Sequence, residues 1–243
     1  MISKVPSAAI GISSHAMARI IATTGHIGNQ SEIRAKLRKL LGDPKPEELD
    51  LDKIPPELAA LFAEKGTLQK IRKKLEGVTK KKAKRLAATK GRVACVDEDD
   101  VVYVGVDFLE KYKDKEALLA GVMAHEWGHM LSELPSEEEL DKMSYEQLMA
   151  LRREEEAGAD ALAGKALYIM GYSAEDMIEF LKSLESIVKK IKSKKYHPVE
   201  IREAILREAF KLQKRNTETA RKILVTTDLG FSHALKSSFI GEG

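Results

Sequence analysis

Ala117–Leu131 is the stretch that most restricts what this chain can become. Wound as a helix, Leu118, Leu119, Val122, Met123, Met130 and Leu131 leave it no broad polar side, so the helix has to lie inside the protein. Yet it carries His125-Glu126-Trp127-Gly128-His129. Two imidazoles and a carboxylate are costly to bury unless each finds a partner. On a helix, His125 and His129 project from one face a turn apart, close enough for both rings to reach one zinc ion. Glu126 follows the first of them and is placed to take the proton of a water that attacks a carbonyl. Trp127 points away from the histidines and reads as packing.

A catalytic zinc needs a third protein ligand and an open position. No histidine closely follows His129, and His15, His26, His197 and His233 are all distant in sequence. The single cysteine, Cys95, excludes a Cys-rich zinc module and an internal disulfide, and it reads as a small buried hydrophobe rather than a thiolate on the metal. That leaves a carboxylate from a second helix. Arg152–Ala163 offers Glu156 and Asp160, four residues apart and hence on one face. Ala157, Gly158, Ala159, Ala161, Ala163 and Gly164 are small enough to let this helix approach the first one closely. Glu156 is then the third ligand. Asp160 accepts a hydrogen bond from the far ring nitrogen of a ligand histidine. Glu154 and Glu155 receive no role.

The rest of the chain reads as mostly helical. Aromatic residues make up only 5%, which argues against a β-sandwich. Apolar periodicity predicts helices over Ser31–Leu41, Pro55–Ala63 and Leu68–Leu75, a short one over Ala16–Thr23, and a basic one over Thr79–Thr89. Asp43-Pro44-Lys45-Pro46 reads as a linker. Val93–Val96 and Val101–Val106, split by Asp97-Glu98-Asp99-Asp100, predict a β-hairpin. Beyond it, helices are expected over 107–112, 114–133, 144–171, 173–193, 198–213 and 216–224, followed by an aperiodic tail, Thr226–Gly243. Three regions follow: a helical N-terminal region at 1–89 that could regulate the site or act as a pro-segment, a metal-binding core at 90–214, and a C-terminal helix and tail at 215–243.

With HEWGH and EAGAD in hand, the chain resembles the gluzincin metallopeptidases of the HtpX and CAAX prenyl protease family, as a soluble member without transmembrane helices. That family pairs HExxH with a Glu four residues before an Asp, here Glu156-Ala157-Gly158-Ala159-Asp160. A β-hairpin and a short helical turn precede HExxH, here Val101–Leu109. A later His-Pro followed by an Arg is matched by His197-Pro198-Val199-Glu200-Ile201-Arg202. The resemblance covers roughly Lys90–Leu212. It implies a mainly α fold with a small β-hairpin or sheet, the active-site helix and the Glu-ligand helix lying under an edge strand formed by Val101–Val106. It also implies one zinc per chain, a peptide substrate added to that strand, His197 stabilising the oxyanion, and Arg202 supporting the metal face.

The expected activity is zinc-dependent endopeptidase chemistry. Three alternatives stay open: a zinc-binding regulatory module without turnover, an ImmA-like peptidase acting on a regulator, and a protease effector secreted without a signal. Lys+Arg number 41 against 38 Asp+Glu, so net charge alone implies no nucleic-acid or anionic-membrane partner. Lys70–Arg92 is strongly basic, but it lacks aromatics for base stacking, and a solvated face outweighs nucleic-acid binding. The longest apolar or small run, Ala117–Ala124, is too short to span a bilayer. The expected compartment is cytoplasmic, with export by a signal-less route as the alternative. Oligomeric state is left open.

Overall fold

The computed structural model describes residues 30–191 and 194–238, with side chains over 30–185 and 194–221. Its order is α1 (Gln30–Leu40), a 3-10 turn (Leu51–Lys53), α2 (Pro56–Phe62), α3 (Thr67–Thr79), β1 (Arg85–Thr89), β2 (Ala94–Val96), β3 (Val101–Gly105), α4 (Val106–Tyr112), α5 (Glu116–Leu131), α6 (Glu137–Asp141), α7 (Tyr145–Met170), α8 (Glu175–Ile191) and α9 (Val199–Ser238). The fold is mainly helical, 66%, with one small sheet. The expected helix at Ala16–Thr23 and the residues His15 and His26 lie outside the described residues.

α5 is the axis of the core. Every residue from Leu118 to Met130 is buried, because α7, α3, α8 and β2 close around it. α7 is the long partner. It starts on a reciprocal cap in which the Ser144 hydroxyl accepts from the Gln147 N–H and the Gln147 side chain accepts from the Ser144 N–H. It ends at Gly171, whose φ of 81° is left-handed. The crossing of α5 and α7 is unusually close at Gly128. A Cβ there would run into the Ala159 Cα and lie 2.8 Å from the Ala159 Cβ. The glycine inside HEWGH is thus what lets the two helices share a site.

The sheet differs from the expected hairpin in two ways. Val93–Val96 and Val101–Val106 do pair antiparallel, as β2 and β3. But Thr79–Thr89 is not a helix: α3 runs on from Leu75 to Thr79, Lys80 turns it off at φ 60°, and Arg85–Thr89 becomes a third strand parallel to β3. The order is β1-β3-β2, so β3 is the central strand and not an edge. The outer side of β1 is bridged by Leu49 to Ala88. β2 carries the open edge, and it is the strand packed on α5. The hairpin turn is fixed by Asp97, whose Oδ1 accepts from the Asp99 and Val101 N–H groups, each at 2.9 Å, and whose Oδ2 accepts from the Tyr103 hydroxyl at 3.0 Å.

Two other boundaries shift. The division at 89/90 passes between two strands of one sheet, since β1 lies on its N-terminal side. α9 continues unbroken through 214/215 and through the stretch read as an aperiodic tail, as far as Ser238. No described helix is long and apolar enough to cross a membrane.

Candidate metal centre

The last two turns of α5 and the middle of α7 face each other across the close contact at Gly128 and Ala159, and three donors converge there. His125, His129 and Glu156 are all buried, and one donor atom from each falls within 4.8 Å of the others. His125 Nε2 lies 3.2 Å from Glu156 Oε2. His129 Nε2 lies 3.6 Å from Glu156 Oε1. The two Nε2 atoms are 3.3 Å apart.

The opposite ring nitrogens are also engaged. His125 Nδ1 is 3.0 Å from Asp160 Oδ1, and His129 Nδ1 is 3.0 Å from Glu155 Oε1. His129 Nδ1 hydrogen-bonds Glu155, which leaves its Nε2 free to act as a donor, whereas His125 Nδ1 lies close to Asp160 without the geometry of a hydrogen bond. Behind these carboxylates stand two guanidiniums. Arg152 reaches Glu155 Oε2 and Glu156 Oε1, each at 2.6 Å. Arg202 holds Asp160 through Nε at 2.7 Å and Nη2 at 2.8 Å, a two-pronged clasp, and its Nη2 is 3.9 Å from Glu156 Oε2.

These residues fit a divalent cation. Glu155 and Glu156 pair with Arg152, and Asp160 pairs with Arg202, so the carboxylates around the donors are held as anions. The buried Glu156 Oε2 accepts no hydrogen bond. Two imidazoles and one carboxylate are a donor set that suits zinc. The surrounding carboxylates also set how these groups titrate. Burial works against a charged His125, yet Asp160 and Glu156 outweigh it and raise its pKa to about 10. Burial likewise opposes the charge on Glu155, but the His129 hydrogen bond and Arg152 bring it down to about 2. Glu156 and Asp160 are also held below the usual carboxylate range against their burial, Glu156 chiefly by the Arg152 charge and Asp160 chiefly by the Arg202 hydrogen bonds. The site therefore keeps its acids ionised and draws in positive charge.

A cavity of about 400 Å³ opens onto this face. Glu126, His125, His129, Glu156 and Tyr196 line it, together with residues of β2 from one side and Met177, Phe180, Leu181 and Leu184 of α8 from another. No described protein group hydrogen-bonds Glu126. Ala94 and Val96 turn their backbone groups to the open edge of β2, because Val93 and Asp97 spend theirs on β3: the Gly105 N–H donates to the Val93 carbonyl, and the Asp97 N–H to the Val101 carbonyl. Arg38 of α1 takes the Val96 carbonyl at 3.1 Å.

No protein-family model matches the chain, and no curated protein or solved structure matches it either. The site's geometry stands by itself.

Of the residues singled out from sequence, His125, Glu126, His129, Glu156, Asp160 and Arg202 come together here. His197 does not line the cavity. It is half-buried in the loop before α9, and Tyr196, one position earlier, faces the site instead. Trp127 is fully buried on the far side of α5, where its indole N–H donates to the Lys81 carbonyl at 3.2 Å. Cys95 is partly buried, and burial pushes its thiol up to about 12, away from thiolate chemistry. Sequence reasoning passed over Glu155, Arg152 and Tyr196. The first two left a signal: Arg152 stands three and four residues before Glu155 and Glu156, the spacing at which ion pairs form along a helix. Tyr196 left none, because a loop residue has no periodicity to place it.

Proposed function

We propose that the chain is a zinc-dependent metalloendopeptidase of the gluzincin type, related to the HtpX and CAAX prenyl protease family. The observation that supports this most is the meeting of three features at one cavity: the two Nε2 atoms with the Glu156 carboxylate, the unengaged Glu126 carboxylate beside them, and the open edge of β2. His125, His129 and Glu156 would hold the ion. Zinc there supplies Lewis acidity, which polarises a carbonyl and makes water a competent nucleophile near neutral pH.

The remaining work falls to this chain's own groups. The Ala94 and Val96 backbone pairs with an extended peptide and fixes its register over the donors. Arg38, now on the Val96 carbonyl, gives way or stays as a boundary on that pairing. The apolar wall of Met177, Phe180, Leu181 and Leu184 accepts a large apolar side chain of the peptide. Glu126 removes a proton from the attacking water and returns it to the departing amine. Asp160 and Glu155 keep the two imidazoles in one tautomer and one orientation, and Arg152 and Arg202 keep those carboxylates ionised.

The test compares the wild-type chain with Glu126→Gln on a denatured protein substrate, with and without a chelator. The expected outcome is a loss of about 1000-fold in Glu126→Gln with zinc content unchanged, and a full loss on chelation that zinc restores. Equal cleavage by both proteins would remove the reading. Stoichiometric zinc with no cleavage by wild type would favour a regulatory zinc module.

A further inference from the structure

Among the described residues the hydroxyl of Tyr196 has no hydrogen-bond partner, and the scheme above gives it no task. It belongs to a side chain that lines the same cavity as Glu126, His125, His129 and Glu156, which His197 does not. No described group hydrogen-bonds its oxygen. The ring itself is held firmly. The Arg202 guanidinium sits 5.3 Å from the ring centroid, and that guanidinium is clasped by both oxygens of Asp160. The backbone before Tyr196 is tied as well. Arg153 Nη1 donates to the Lys194 carbonyl at 2.8 Å, and the Lys195 ammonium binds Asp43 at 2.5 Å and the Leu41 carbonyl at 3.0 Å.

A held ring on the wall of the cavity that also contains the metal donors, with an O–H that no described group engages, is an arrangement that can stabilise developing negative charge with little reorganisation. We propose that Tyr196, rather than His197, donates the hydrogen bond to the carbonyl oxygen as that oxygen becomes negative during peptide hydrolysis. This rests on the peptidase reading. Tyr196 keeps its proton throughout, since a phenol ionises only well above neutrality. The same Asp160–Arg202 clasp touches His125 on one side and the Tyr196 ring on the other, so one network orients both the metal face and the donor.

The experiment uses the full zinc-loaded chain as wild type, Tyr196→Phe and His197→Gln. Zinc content is measured for each, with kcat and KM on a peptide that wild type cleaves. Calorimetry gives the affinity for a phosphinic peptide of the same sequence, whose tetrahedral anion stands where the charged oxygen would be. Phe keeps the ring on Arg202 and removes only the hydroxyl. Expected for Tyr196→Phe are a kcat lower by about 100-fold, KM within about threefold, phosphinic-peptide binding weaker by at least about tenfold, and full zinc content. His197→Gln stays within about threefold on every count.

The proposal is overturned if Tyr196→Phe keeps kcat and phosphinic affinity within about threefold of wild type, if it loses zinc, or if His197→Gln carries the loss instead. A wild type that cleaves nothing, or no better than Glu126→Gln, overturns the peptidase reading and this proposal with it. An active wild type beside an unaffected Tyr196→Phe overturns the role of Tyr196 alone.

Discussion

Lys70–Arg92 and Arg152–Asp160 are both crowded with charge, and they use it in opposite ways. The first holds eleven basic residues and one acid. Its cations lie mostly at the surface and find dispersed partners: Arg72 with Glu76, Lys81 with Asp100, Arg85 with Glu48, Arg92 with the Pro44 carbonyl. The second holds two arginines and four acids, most of them turned inward. Its arginine and carboxylates bind one another and the two histidines of α5, all within a few ångströms. Density of charge in sequence therefore says little. What matters is whether water or another side chain solvates it. Water-solvated pairs are weak and replaceable, whereas buried ones are interdependent, because each charge loses its compensation when its partner goes.

That contrast can be broken experimentally. The largest effect is expected from Glu156→Ala, which removes a metal donor and one of the two carboxylates that hold Arg152. Zinc content should fall to background, and stability should drop by about 3 kcal/mol or more, read by denaturant unfolding. If this variant unfolds like wild type, the buried cluster is not the interdependent network described. Next comes Gly128→Val. Its side chain must displace the Ala159 backbone, so a loss of roughly 1–3 kcal/mol is expected together with weaker zinc binding. Loss of stability with zinc affinity intact would show that the close helix crossing serves packing only.

Glu155→Gln and Asp160→Asn each keep the shape of the side chain while weakening the hold on one ligand imidazole. Each should reduce zinc affinity by about 10- to 100-fold in a chelator competition assay, with smaller changes in folding. If only Asp160→Asn does so, the two histidines are not supported alike. The smallest effect belongs to the basic stretch. Arg85→Ala breaks an exposed pair with Glu48 and should change stability by no more than about 1 kcal/mol, less at high salt. A larger loss would mean that this surface carries energy its exposure does not suggest.

The sheet shows where reading the sequence stopped short. β2 and β3 were legible because β-branched residues and an Asp-rich turn are local signals. β1 was not: Arg85-Leu86-Ala87-Ala88-Thr89 is poor in β-branched residues and follows a helix, and its strand character comes from parallel pairing with residues sixteen positions on. The position of β3 in the sheet changed with it. A third strand on its far side turned the presumed edge into the centre and handed the open edge to β2.

What the sequence determined by itself is the part governed by helical periodicity. The spacing of His125, His129, Glu156 and Asp160 fixes which donors share a face, and the apolar neighbours of the first pair require that the face be buried. Tertiary structure decided the rest. It chose Glu155 to orient His129, brought Arg152 and Arg202 to hold the carboxylates, and put Tyr196 rather than His197 on the cavity wall. The physical reason is range. A helix sets the direction of a side chain within one turn of itself, but the packing of α7 on α5, the pairing of β1 with β3 and the loop before α9 depend on contacts between residues far apart in the chain.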